Sequence, residues 1–186
     1  KGGMSRRHSL FRELREKRGW PTVGLDAGGI ARGYGKQAEL KFHIMVDGMR
    51  TMGYDAVALG AADLRLPTAE LVAVAASTGD QRSMFLSANV GLFGFDAGLT
   101  ATHRIIEQSG VKLAVTGVLG AEFQKGINNS EIEFVSAEAA LRKLLPTLKP
   151  ADFQILLAHA TMAESEALAR QFPEFDIVIT AGGAAE

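Results

Sequence analysis

Apolar and polar positions alternate along the chain in strand-like runs and helix-like stripes that follow one another from end to end. Ser5 to Lys17 carries Leu10, Phe11 and Leu14 among charges, the spacing of an amphipathic helix, with Gly19 and Pro21 to end it. Trp20 to Asp26 reads as a short buried strand, followed by the glycine-dense loop Gly28 to Gly35. A helix from about Lys36 to Met52 is predicted next, with Leu40, Ile44, Val46 and Met49 as apolar positions. Ala56 to Leu59 is the following strand. Leu66 to Ser77 is expected to be helical, Pro67 being tolerated in a first turn, and Met84 to Val90 is apolar enough for a strand.

Beyond residue 100 the pattern changes once. Arg104 to Gln108 and Val111 to Gly117 flank Ser109-Gly110, the two-residue connection of a β-hairpin, which interrupts strict strand-helix alternation. Ser136 to Leu148 is predicted helical, with Ser136 as N-cap and Glu138 in the first turn, stopping before Pro150. A buried strand from Phe153 to Ala158, a helix from Ala163 to Phe172 and a strand from Asp176 to Thr180 complete the reading. No internal repeat or low-complexity linker divides the chain, so one domain over residues 1–186 is expected. Strands ending at Asp26, Gly60, Ala158 and Thr180 each run into a loop of small or polar residues. Such loops at the carboxyl ends of strands are where α/β proteins bind ligands.

Composition narrows the partners. The 186 residues are 47% hydrophobic, enough for a sizeable core, and 20 Lys+Arg against 21 Asp+Glu leave no basic surplus for nucleic acid or an anionic membrane. The basic cluster Arg6, Arg7, Arg12, Arg15, Lys17 and Arg18 is interleaved with Glu13 and Glu16 at helical spacing, as on a solvated helix face. Without cysteine, this chain carries no disulfide, thiolate metal site, haem attachment or cysteine nucleophile. Its apolar runs are too short to span a bilayer, so no membrane insertion is expected. The opening Lys-Gly-Gly and the Gly/Ala-rich Ala181 to Glu186 read as a processed or partial chain.

Three candidate chemistries follow. Gly33-Tyr-Gly-Lys-Gln-Ala38 fits the glycine pattern of a dinucleotide loop. However, about six residues separate it from the strand ending at Asp26, and the matching acid, Asp55, precedes its strand; a glycine-rich surface loop is the simpler reading. Nucleophilic serine catalysis has no G-x-S-x-G elbow, and His8 and His43 fall on predicted helices while His103 opens a hairpin strand. His159 differs, because it ends the apolar run Phe153 to Ala158 and is delivered to the ligand edge of the sheet, where an imidazole serves as metal ligand or acid/base.

Taken in order, these segments resemble the calcineurin-like metallophosphoesterases, most closely their periplasmic 5′-nucleotidase-type branch. Gly2-Gly-Met-Ser-Arg-Arg7 is similar to the opening of that branch's first helix, and Val23-Gly-Leu-Asp-Ala-Gly28 to its strand leading into Asp-Ala-Gly-Asp. Met52-Gly-Tyr-Asp-Ala-Val-Ala-Leu-Gly60 resembles the strand before the Gly-Asn-His motif. Leu86-Ser-Ala-Asn-Val90, Val111 to Leu119 and Ile155-Leu-Leu-Ala-His159 are similar to three further strands, the last carrying a metal-binding His. The resemblance implies a four-layer αββα sandwich of two mixed sheets, incomplete at its C-terminal side, and a phosphoryl-transfer chemistry built on two divalent metals (Mn, Zn, Fe or Mg).

At the matched ligand positions the resemblance implies loss. The bridging Asp falls on Gly29, the Asn and His of Gly-Asn-His on Ala61 and Ala62, and the terminal Gly-His-x-His on Gly182 to Ala185; the first Asp-x-His would precede Lys1. Only His159 and Asp63 remain as catalytic candidates, short of the three or more protein ligands of ordinary sites, so no metal is expected. A pseudoenzyme is therefore anticipated: a binding or assembly module, extracytoplasmic by family analogy, with a protein partner or oligomer covering an open sheet edge. The rival reading is an active phosphohydrolase of a small phosphate ester, with ligands outside this chain or substitutes such as Asp26, Asp63 and His159. A third is a nucleotide- or anion-binding module using Asp26, Gly28, Gly33 and Gly35.

Overall fold

The computed structural model describes residues 3–31, 33–75 and 83–181. Its elements are α1 (Met4–Arg12, continued by a π-turn Glu13–Lys17), β1 (Gly24–Asp26), α2 (Lys36–Thr51), β2 (Tyr54–Ala58), a 3-10 turn Asp63–Arg65 and α3 (Thr68–Ala75). Then come β3 (Phe85–Leu86), β4 (Val90–Leu92), β5 (His103–Gln108), β6 (Val111–Leu119), α4 (Ala121–Gln124) and β7 (Ile132–Phe134). The last are α5 (Ala137–Leu148), β8 (Phe153–His159), α6 (Met162–Gln171) and β9 (Ile177–Thr180).

Two main sheets arise from these strands. One is parallel, in the order β1-β2-β3, and the other is mixed, β5-β6-β8-β9, with β5 and β6 antiparallel and the rest parallel. The β5-β6 hairpin turns through Ser109 and Gly110, both left-handed at φ 53° and 81°, the twist that a tight two-residue turn requires. Strand alternation assigns each face. Along β2, Val57 points to a core shared with Phe42, Val46 and Met49 of α2 and Leu71 and Val74 of α3. Ala56 and Ala58 point the other way, into a layer with Leu86, Val115, Ile155 and Leu157. On the far side of the second sheet, Ala114, Val118 and Leu156 pack against Leu141, Leu145 and Leu148 of α5 and Leu168 of α6. The layers therefore run helix, sheet, sheet, helix. Each fully buried Leu in them contributes about 1.5–3 kcal/mol.

Small residues set the sheet-to-sheet spacing. A Cβ added at Gly117 of β6 would lie 2.9 Å from the Cβ of Ala58 and 3.0 Å from Leu86 Cδ1, so the two sheets approach through glycine and alanine. That close approach brings the carboxyl ends of β1, β2 and β8 to one edge.

Several predicted elements shift. Trp20 to Val23 is not strand, and Trp20 is 54% exposed with the Arg18 guanidinium over its ring. Gly19 is left-handed at φ 64° and Pro21 lacks an N–H, so the segment cannot extend the ladder. The predicted strand Met84 to Val90 splits into β3 and β4, because Ser87 donates its N–H to Ala101 and the Asn89 side chain anchors the bend to the backbone of Leu119 and Val135. β4 pairs instead with β7, a three-residue strand too short to show in the hydrophobic pattern. The first main sheet is thus purely parallel rather than mixed, with β4-β7 as a separate antiparallel ribbon. The helix expected to reach Ser77 is seen as Thr68–Ala75, its end lying outside the described residues. Pro146 is tolerated inside α5 because it and Arg142 are exposed, so water can serve the carbonyl left without its N–H.

Candidate functional site

The loops after β1, β2 and β8 converge on His159 and Asp63. Asp63 is fully buried, and its carboxylate accepts three backbone N–H groups: Gly29 at 2.8 Å and Gly60 at 2.9 Å on Oδ2, and Ala31 at 2.7 Å on Oδ1. One side chain thus ties the β1 loop to the β2 loop. Burial pushes this carboxyl above its ordinary value; the three N–H donors and nearby His159 pull in the other direction without overcoming it.

His159 ends β8 on the face turned toward the first sheet. Its Nδ1 lies 3.0 Å from the carbonyl of Ala27, which can only accept, so Nδ1 carries the hydrogen of this bond. The Phe123 ring of α4 covers it at 5.1 Å between centroids. On the other side stand two glycines. A Cβ at Gly29 would sit 2.8 Å from His159 Cε1, and one at Gly60 would sit 2.7 Å from the same atom and collide with the Gly29 main chain. Gly29 is also left-handed, at φ 77°. The imidazole is therefore wedged between main chain and an aromatic ring.

A dinuclear metal centre does not fit this arrangement. Gly29 offers no side chain, and in its place the main chain is pressed against the imidazole. Ala61 and Ala62 offer no donors, Ala61 being buried in the helix-side core and Ala62 packed against it. Asp63 has both oxygens committed to N–H groups. Among the described residues no three His, Asp or Glu side chains group closely enough to hold a metal. Gly182 and Ala185, where the last ligand motif was matched, lie outside the described residues.

The other candidates separate by position. Asp26 accepts the Gly28 N–H at 2.9 Å and pairs with Arg7 at 2.8 Å, joining α1 to the end of β1. Gly28 (φ 86°) is packed so closely that a Cβ would run into the Ala58 carbonyl, whereas Gly33 and Gly35 (φ 89° and 68°) face open space. Among its described residues the glycine loop thus has a packed half and an exposed half. Asp55 lies within β2 rather than before it, at the end away from His159, and accepts the Gly24 N–H at 2.8 Å. His8 and His43 do sit on helices, His43 paired with Glu70 at 2.7 Å, and His103 opens β5.

Two contributors were not singled out from the pattern. Phe123 sits on a four-residue helix too short to have a period. Glu164 closes a capping box with Thr161 at the start of α6 and also accepts the Glu122 N–H at 3.0 Å, fixing α4 beside His159. The Thr161-x-x-Glu164 spacing carries that signal. Burial pushes Glu164 up, but its N–H and hydroxyl donors outweigh this and hold it below the ordinary carboxylate range.

Two sheets face to face between helical layers, with the ligand edge at the carboxyl ends of β1, β2 and β8, define the metallophosphoesterase fold, here of the 5′-nucleotidase type. A 5′-nucleotidase precursor from Thermus thermophilus superposes with a TM-score of 0.77 at 23% identity, over 99% of this chain and 38% of its own. A sulfate thiohydrolase from the same organism gives 0.74 at 21%, over 96% and 34%, and the NAD nucleotidase of Haemophilus influenzae 0.72 at 21%, over 96% and 32%. The chain thus spans about a third of the length of these structures. No protein-family profile and no curated protein matches the chain.

Proposed function

We propose that this chain is a degenerate 5′-nucleotidase-like domain that has given up phosphoester hydrolysis and serves as a binding or assembly module, in an extracytoplasmic setting. The observation that carries the reading is the packing of Gly29 and Gly60 against His159. Where a bridging carboxylate would stand there is main chain, and the acid beside His159 among the described residues, Asp63, is held by three N–H groups. Metal-assisted phosphoryl transfer needs ions that polarise the phosphoryl oxygens and supply hydroxide. A lone His159 Nε2 supports neither role.

The assembly half of the reading is supported by β9. This edge strand turns Ile177 and Ile179, 48% and 37% exposed, to the same face as buried Ile155 and Leu157 of β8. An apolar face next to an edge that no strand pairs among the described residues favours strand or sheet addition by another segment. The extracytoplasmic setting rests on likeness to the precursor nucleotidase alone. Among the described residues, no helix is long and apolar enough to cross a membrane.

The test is elemental analysis of the purified full-length protein, together with turnover of a generic phosphate ester in added manganese. Substoichiometric metal and no turnover are expected. Two metals per chain with turnover abolished by His159→Ala would overturn the reading.

A further inference from the structure

We propose a second binding site, on the opposite side of the second sheet from His159 and independent of the fate of the metal centre, that takes a small amphipathic carboxylate. A half-open pocket of about 480 Å3 runs along α5, within the size range of small-molecule sites. Ala139, Lys143 and Thr147 line it at successive turns of the helix, spanning about 12 Å. Ala88, Val135 and Leu144 supply much of the apolar wall.

Three observations point to a ligand. First, the lining is predominantly apolar yet open to solvent, and Val135 remains 38% exposed there. Second, Lys143 is the only charged side chain among the lining residues, and no carboxylate pairs with it among the described residues. An ammonium beside an apolar trough complements a carboxylate with a hydrocarbon tail. Third, the far wall is held under strain. Phe93 adopts φ 53°, a left-handed conformation rare for a bulky residue, while its neighbour Phe95 lines the pocket and donates its N–H to Glu133 at 3.2 Å. Phe93 also donates its N–H to the Glu131 carbonyl at 2.7 Å. The turn is fixed at both ends, and its strained residue lies two positions from the ring that closes the trough.

Decanoate is the probe, since it joins a carboxylate to an apolar chain of about the length of the trough. Titration into the full-length protein, followed by calorimetry and by the rise in melting temperature, is expected to show saturable one-to-one binding, with decanol much weaker. Lys143→Met keeps the stem and removes the charge, and should weaken decanoate about tenfold while leaving decanol unchanged. Ala139→Phe, at an exposed position of α5 and with folding checked by circular dichroism, should fill the trough and abolish both. Three results would each overturn the proposal: no saturation at millimolar decanoate, equal affinity for decanol, or binding untouched by Ala139→Phe.

Discussion

Removing the Asp63 carboxylate tests whether the centre is a structural knot. Asp63→Asn is nearly isosteric but offers one acceptor oxygen. If that oxygen takes the Oδ2 position it keeps Gly29 and Gly60, and the amide NH2 then faces the Ala31 N–H, donor against donor. The opposite rotamer is worse, losing two bonds. Each buried polar group left without a partner costs about 1–3 kcal/mol, so two give about 2–6 kcal/mol. Asp63→Ala loses all three bonds, and water entering the space offsets part, for about 3–6 kcal/mol. For a chain of this length 1 kcal/mol corresponds to roughly 2–4 °C, so Asn should lower the melting temperature by about 4–24 °C and Ala by at least as much. Thermal unfolding by circular dichroism measures this, with Asp96→Asn, at an exposed position, as the neutral control. Hydrogen exchange localises it, because the Gly29, Gly60 and Ala31 amides should lose protection first. Shifts below about 2 °C in both variants would refute the knot and, with it, the claim that Asp63 is unavailable to a metal.

Other outcomes follow from the same geometry. Gly29→Asp, which puts a carboxylate at the matched bridging position, should bind no metal and should destabilise by about 2 kcal/mol or more, since the residue is left-handed and its Cβ meets His159; stoichiometric manganese binding by this variant would contradict the packing described. Gly60→Ala should be at least as damaging by urea denaturation, its methyl colliding with the Gly29 main chain. For pH, the Asp63 carboxyl is raised in the fold above its ordinary 3.8. Its advantage is therefore full below the unfolded value and lost as pH rises through the folded one, so stability relative to Asp63→Asn should decline over that window. Glu164 is lowered and behaves oppositely: its contribution is present above the ordinary 4.5 and lost as pH falls through the folded value, so Glu164→Gln and the parent should converge in acid. Ile179→Lys should leave the monomer folded and weaken any association through β9, as read by light scattering.

Much of the architecture is legible in the sequence. The apolar runs of β2, β6 and β8 and the cap at Ser136 are local signals, and each forms where the residues specify it. The order of strand-ending motifs pointed to the two-sheet fold, and Gly29, Ala61 and Ala62 already lacked the donors a metal requires. Less legible were β7 and α4, three and four residues long, because a pattern that short has no measurable period.

Local sequence therefore determined for most segments whether they are helix or strand, which face of each is apolar, and that Gly29, Ala61 and Ala62 carry no side-chain metal donor. It left open what became of the space. Only the tertiary structure decided that Gly29 and Gly60 bring their main chains against His159, that Asp63 collects N–H groups from residues up to 34 positions away, and that Asp26 faces Arg7. These contacts join loops of different strands, and their distances follow from how the two sheets pack through Ala58 and Gly117, a nonlocal spacing that no single stretch of the chain encodes.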